Sequence, residues 1–178
     1  MKHSPLLILG ALILPLLAPG QTNRPPLTPQ AQRGQTLFQK SPKGVACGTC
    51  HTLGGIGTAI GPDLSKLASA ATPRGLVMAI EMTMTAYVQQ VKTAKSEFPG
   101  IQKQKVGDSL EIWDLSKLPP TLRTFAADEI RSMRGNEKWV HPPTAAHYEK
   151  QELADIIGFL KFASTGLEKE VTPAELGK

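Results

Sequence analysis

Residues 47–51 read Cys47-Gly48-Thr49-Cys50-His51. The two intervening residues allow one tight turn to present both thiols to the two vinyl groups of a porphyrin. The histidine that follows directly is held by the second thioether, so that its imidazole reaches the iron. The pattern therefore predicts one covalently attached haem c, bound through Cys47 and Cys50, with His51 as the proximal iron ligand.

Two other kinds of site use a Cys-x-x-Cys pair, and both leave part of the pattern unexplained. A thioredoxin-like redox site lies at a helix start in a βαβ unit and does not need the following histidine. A zinc site could take its histidines from His141 and His147, but such a site joins its two halves by a short loop. About ninety residues separate the halves here, and His51 would have no role. The chain has only two cysteines, so none remains for a structural disulfide.

The composition is that of a globular protein with few aromatic side chains. Of 178 residues, 40% are hydrophobic, 20% charged and 5% aromatic, so we expect one compact domain whose apolar core a bound macrocycle helps to fill. The formal net charge is +5, but the lysines are spread and no base-reading motif accompanies them, which argues against a nucleic-acid partner. Four lysines of one middle segment either steer an acidic redox partner or form a solvated polar face: Lys92, Lys95, Lys103 and Lys105.

The first twenty residues have the features of a secretory signal peptide. Lys2 gives a positive start, residues 6–17 form an apolar run that is short for a membrane span, and Ala18-Pro19-Gly20 places small residues before a cleavage site at Gln21. Haem is attached covalently outside the bacterial cytoplasm, so the motif and the signal both predict a periplasmic or otherwise exported protein. We expect membrane association only through an uncleaved signal anchor or through a partner complex.

Proline and glycine residues divide the rest of the chain. Residues 21–27 are predicted to be a linker, residues 28–166 the domain, and residues 167–178 a charged, frayed tail. Between about residues 87 and 133, short and partly alternating segments predict an antiparallel β insertion, with a hairpin turn at Gly107-Asp108.

Three helices are expected around this insertion. Thr28-Pro29 and Thr72-Pro73 each combine an N-cap residue with proline at the first helical position, and the second of these helices is expected to run to about Met84. Gly34 on the first helix indicates a close helix crossing. The last helix is predicted across roughly residues 148–164, with Gly166 as its stop. Met78 and Met82 are interpreted as packing residues.

The segment after the motif carries a resemblance to a known family. It is glycine-rich, lacks the lysine and hydroxyl pair of a phosphate-binding loop, and ends in Gly61-Pro62-Asp63-Leu64. A haem motif followed by this tetrapeptide resembles class I cytochrome c domains, as does the sequence of the last helix. The resemblance implies that the carbonyl of Pro62 accepts the N–H of His51, that Leu64 packs on the haem, and that the last helix crosses the first.

A narrower resemblance follows from the order of the segments. A Gly-Pro-Asp-Leu loop, a helix, a β-hairpin region and then Ala127-Asp128-Glu129-Ile130 are similar to the haem-binding domains of planctomycete and acidobacterial proteins. The fold class expected from both resemblances is mainly α: a cytochrome c fold with a small antiparallel β insertion between the second helix and the distal ligand loop.

The sixth ligand departs from the family pattern. The family supplies methionine shortly before the last helix, but this chain has Val140-His141-Pro142-Pro143 there, and Pro142 restricts His141 to an extended conformation. We therefore predict His141 as the distal ligand. Met133 is the second candidate and His147 the third.

These features favour an electron carrier over a stand-alone catalyst. Two fixed axial ligands suit single-electron transfer between redox partner proteins, and no nucleophile elbow, zinc-protease motif or acid/base pair is visible. Two alternatives stay open: a haem enzyme or gas-binding module with an open distal site, such as a peroxidase-like domain, and a cytochrome subunit of a larger oxidoreductase.

Overall fold

The fold combines four α-helices with seven strands, and the computed structural model describes residues 25–82, 87–142 and 148–177. The predicted signal peptide, Met84 and His147 lie outside these ranges. The helices are α1 (Pro29–Gln39), α2 (Ser65–Ala70), α3 (Pro73–Glu81) and α4 (Lys150–Thr165). The strands are β1 (Thr52–Leu53), β2 (Ile56–Gly57), β3 (Gln89–Thr93), β4 (Glu97–Val106), β5 (Ser109–Asp114), β6 (Thr121–Ala126) and β7 (Ile130–Gly135).

The local signals at the helix ends predicted two starts and one stop correctly. The Thr28 hydroxyl accepts a hydrogen bond from the Ala31 N–H at 3.2 Å, and the Thr72 hydroxyl accepts one from the Gly75 N–H at 3.1 Å. Gly166 caps the end of α4, and its φ of +71° is the left-handed conformation that glycine adopts without strain. α2, a six-residue helix, was not predicted.

Helices α1 and α4 cross closely at a glycine. A Cβ on Gly34 would collide with the Asp155 carbonyl oxygen and lie 2.7 Å from Phe159 Cβ. Arg33 binds the carboxylate of Asp155 through two nitrogens, at 2.8 and 2.9 Å, and Phe38 packs edge-on against Phe159 with ring centroids 5.6 Å apart. The crossing therefore joins a bidentate ion pair at the rim to an aromatic pair in the core.

The prediction of a frayed tail is wrong. Val171 and Leu176 are only 4% and 6% exposed, and a short 3-10 helix covers Pro173–Leu176. The side chain of Gln30 on α1 donates to the Val171 carbonyl at 2.7 Å and accepts from the Val171 N–H at 2.8 Å. Because both partners are buried, this reciprocal pair satisfies groups that would otherwise be costly to bury, and it fixes the tail on the helical core.

Five of the strands form one antiparallel sheet in the order β6-β5-β4-β3-β7. The predicted two-residue turn at Gly107-Asp108 is confirmed, because Val106 pairs with Ser109 and Gly107 has a φ of +57°. The expectation of a mainly α fold is wrong, since seven strands accompany the four helices and this sheet extends from residue 89 to residue 135. The antiparallel insertion predicted over about residues 87–133 is present, but treating it as a small addition to a helical fold understated its share of the structure.

The two faces of the sheet bury different side chains. One face has a core of its own, formed by Val91, Phe98, Ile112 and Phe125. The other face contributes to a second cluster around the haem motif, formed by Ile60, Val88 and Leu115, with Cys50, Ile101, Trp113 and Trp139 packed against it. The sheet is thus stabilised independently on one side and faces the Cys-x-x-Cys-His segment on the other.

Candidate haem site

The Cys-x-x-Cys-His segment folds as a tight turn. Cys47–Thr49 form one turn of 3-10 helix, and the N–H groups of Cys50 and His51 both donate to the Cys47 carbonyl, at 3.2 and 2.9 Å. Burial raises the pKa of the Cys47 thiol to about 11 and also raises that of Cys50. Both cysteine side chains therefore lie in apolar surroundings beside the histidine.

A proline carbonyl orients His51. Its Nδ1–H donates to the Pro62 carbonyl at 2.8 Å, so Nε2 carries the free lone pair. The preceding residue must be glycine, because a Cβ on Gly61 would lie 2.7 Å from Cε1 of the His51 ring. The hydrogen bond implied by the family resemblance is thus present, and glycine makes room for it.

An acidic side chain braces the loop that carries Pro62. The Asp63 carboxylate accepts from the Ser65 N–H at 2.8 Å and from the Thr52 hydroxyl at 2.6 Å. The hydrogen bonds from Ser65 and Thr52 lower the pKa of Asp63 below its ordinary value. The Leu64 N–H donates to the Thr52 carbonyl at 2.9 Å, which ties the loop to β1. These bonds hold the proximal loop against the haem motif.

A mainly apolar cavity of about 290 Å³ opens beside His51. Both motif cysteines lie on its wall, and Leu64 lies there with Pro62. The helical part of the chain contributes Ile80 and Leu160, whereas the sheet and its loops contribute a different set of apolar side chains: Ile101, Leu115, Leu118 and Trp139. An apolar cleft with a few converging polar groups is the usual form of a cofactor site.

His141 lies on the same cavity and faces His51. The two ring centroids are 5.9 Å apart and the ring planes are inclined by 39°. The His141 Nδ1–H donates to the Pro142 carbonyl at 3.0 Å, again leaving Nε2 free. Burial and the neighbouring His51 lower the pKa of His141. They outweigh the hydrogen bond to Pro142, which by itself would raise that pKa. A low pKa favours the neutral ring, the form that binds metals.

The facing histidines fit a haem iron. A metal–imidazole nitrogen bond is about 2 Å long, so two ligating nitrogens on opposite sides of one metal lie about 4 Å apart, and their ring centres somewhat farther. The 5.9 Å between the centroids of His51 and His141 is of that size. Thiols for two thioether bonds, two free imidazole nitrogens and an apolar wall therefore meet in one cavity.

The structure does not bring the second candidate ligand to this cavity. Met133 pairs with Val91 and packs in the cluster of Phe98 and Phe125, on the sheet face away from the cavity. Met82, interpreted as a packing residue, is 65% exposed and lies at the cavity edge, and Met78 is 59% exposed. The interpretation of these two methionines as packing residues is therefore wrong.

Sequence reasoning missed the sheet's part in the site. Trp139 lies at the cavity wall, and its ring meets that of His141 edge-on, with centroids 6.1 Å apart and planes at 89°. Its position two residues before His141 was the available signal. The sequence contained no such signal for Ile101 and Leu115, because their place on the cavity wall depends on how the whole sheet packs against the haem motif.

These features define a covalent haem-attachment site of the c type. Comparison with known families agrees: residues 31–118 match the family described as cytochrome c. The match identifies a cytochrome c domain in this stretch, and with Cys47 and Cys50 in place that domain implies a covalently attached haem c. No curated protein matches the chain significantly. The narrower planctomycete and acidobacterial type stays a prediction.

Within residues 25–82, 87–142 and 148–177, no group of three or more His, Cys, Asp or Glu side chains is arranged to hold a metal ion. In those same ranges, none of the helices combines the length and the apolar character needed to cross a membrane.

Proposed function

We propose that this haem-based electron carrier is an exported monohaem cytochrome, which passes single electrons between redox partners with the iron held by His51 and His141. One observation carries the ligand assignment. Two imidazoles face each other across the cavity at 5.9 Å, and each has its Nδ1–H engaged by a proline carbonyl. Both Nε2 atoms are therefore left to bind one iron.

The chain's own groups supply orientation and a dry, apolar environment. When bound, the haem supplies a one-electron redox centre. Pro62 and Pro142 fix the rotation of the two imidazoles, which limits rearrangement when the charge of the centre changes. Paired histidines favour a lower potential than the histidine and methionine pair of the family pattern.

A spectrum of the purified haem protein tests the ligand assignment. The oxidised wild type should lack the far-red sulfur-to-iron charge-transfer band, and His141→Met should raise the midpoint potential. Met133→Leu is the matched control and should change neither, because Met133 lies on the far sheet face. A far-red band in the wild type that disappears in Met133→Leu would overturn the assignment.

The distal histidine also decides between this function and its main alternative. A haem enzyme or gas-binding module needs an open distal position, whereas His141 faces His51 across the cavity. Carbon monoxide should therefore bind reduced wild type slowly and His141→Ala rapidly. Equal, rapid binding by both proteins would favour the open-site function.

The export and partner proposals rest on charge and on the first twenty residues. Mass spectrometry of the protein from a periplasmic fraction should give a mature chain that begins at Gln21.

The proposal of an acidic redox partner rests on the overall positive charge of the chain. In the middle lysine segment, Glu97 and Glu111 pair with Lys92 and Lys103, so that segment adds little support. Electron transfer to an acidic partner protein should then slow as ionic strength rises.

A further inference from the structure

The loop that carries His141 is tied to the sheet through one side chain. Asn136 directly follows β7, and its backbone N–H donates to the Val88 carbonyl at 2.9 Å. Its side-chain Nδ2 donates to Gln90 Oε1 at 2.6 Å. One residue thus binds both the start of β3 and the segment just before it.

The same side chain fixes the start of the distal loop. Asn136 Oδ1 accepts from the N–H groups of Lys138 and Trp139, at 3.1 and 3.0 Å. Side-chain oxygens of asparagine commonly close turns in this way. The turn sets the direction in which the chain leaves the sheet, and Trp139, which it holds, packs edge-on against the His141 ring.

We propose that Asn136 is the positioning residue of the distal ligand: by joining β3 to the Lys138–Trp139 turn, it holds Trp139 and His141 over the haem cavity. The sheet, rather than the helical core, then sets how tightly the sixth ligand is held. This inference rests on the proposed ligation by His51 and His141. Asn136 does not touch the cavity, so its effect passes through Trp139.

Carbon monoxide binding to the reduced haem protein measures how tightly His141 is held. Carbon monoxide must wait for His141 to leave the iron, so the binding rate follows the fraction of protein with the ligand detached. Asn136→Ala removes the side-chain oxygen that accepts from two N–H groups, as well as the bond to Gln90. We expect binding to become roughly tenfold faster, as loss of such partly buried hydrogen bonds would produce.

Two variants separate positioning from a general loss of stability. Asn136→Asp keeps an oxygen for both N–H groups, and the Gln90 amide can rotate to donate to the new carboxylate, so the wild-type rate should return. Thr93→Ala is the matched control: Thr93 closes the turn at the other end of β3, accepting from Lys95 and Ser96, and lies away from the cavity. It should lower the unfolding temperature without changing the carbon monoxide rate.

The outcomes distinguish this inference from the function on which it rests. If His141→Ala binds carbon monoxide rapidly but Asn136→Ala behaves like wild type, Asn136 is not a positioning residue and the ligand assignment stands. If His141→Ala and wild type bind alike, both proposals fail. Should Asn136→Ala fold poorly, Gln90→Ala, which loses only the 2.6 Å bond, gives the same reading: a faster rate supports the inference and an unchanged rate overturns it.

Discussion

The helical part of the molecule and its sheet hold the two sides of the haem cavity in different ways. On the helical side, the close crossing of α1 and α4 supports the turn that carries both cysteines, since Gly48 packs against Phe38. On the sheet side, no covalent attachment point exists, and His141 depends on a loop held by hydrogen bonds. His51 therefore lies beside the packed helical core, whereas His141, the proposed distal ligand, lies on a loop that side-chain hydrogen bonds tie to the sheet.

The sheet has a small core of its own, so a mutation there can weaken the sheet without removing a contact of the helical core. Phe98 and Phe125 stack with centroids 5.8 Å apart, and the Arg123 guanidinium lies 4.6 and 4.7 Å from the two ring centroids. Arg123 is in turn bound by Asp114 at 2.8 Å. The cation, the rings and the carboxylate form one stack over the sheet.

Removing the centre of that stack should have the largest effect. Phe98→Ala leaves a cavity among Val91, Ile112 and Phe125 and should cost about 3–4 kcal/mol of the free energy of unfolding. Urea unfolding measures this cost. Because Phe98 pairs with Val91, next to the Gln90 that Asn136 binds, the carbon monoxide rate should also rise, while both thioether bonds remain. An unchanged rate at reduced stability would show that the distal ligand does not depend on the sheet core.

A substitution at the crossing of α1 and α4 tests the helical side in the same way. Gly34→Ala places a Cβ against the Asp155 carbonyl and Phe159, and the resulting shift of α1 should cost about 3 kcal/mol despite the better helix propensity of alanine. Gly135→Ala is the control, because nothing lies within 4 Å of its Cβ position. Equal unfolding midpoints for the two variants would contradict the close crossing.

The same contrast explains what could be predicted from the sequence. Helix ends depend on local chemistry, so Thr28, Thr72 and Gly166 are identifiable from neighbouring residues alone. The five-residue haem motif is likewise local. Strand pairing is not: Ile101 faces Trp113 only because β4 and β5 have one particular register, and that register includes an irregularity between Gln102 and Gln104. The stretch of chain that forms the sheet was therefore predictable, at about residues 87–133, whereas the strand pairing and the sheet's place on the cavity wall escaped prediction.

A smaller effect should follow from uncapping α2. The ammonium group of Lys161 on α4 donates to the carbonyls of Ala68 and Ala71 at 2.9 and 3.0 Å, at the end where the helix dipole is negative. Lys161→Met keeps the aliphatic stem and should cost about 1–2 kcal/mol in thermal or urea unfolding. Lys169→Met, which loses only an exposed pair with Glu175, should be nearly neutral. If both variants unfold alike, the capping role is wrong.

The smallest effect concerns the pH dependence of the sheet. Burial alone would raise the pKa of Asp114, but hydrogen bonds from Ser116 and the nearby Arg123 outweigh it, so the pKa lies below the ordinary value of 3.8. A lowered pKa means that the carboxylate stabilises the fold above pH 3.8, and that this contribution disappears as the pH falls through the folded-state pKa. Asp114→Asn should therefore cost less than about 1 kcal/mol at pH 7, because Arg123 is partly exposed, and should flatten the acid limb of the stability curve. Asp108→Asn, at the hairpin turn, is the control for the loss of one negative charge. If the two variants have the same acid limb, the ion pair with Arg123 does not stabilise the sheet, and the stack of rings alone supports the distal side.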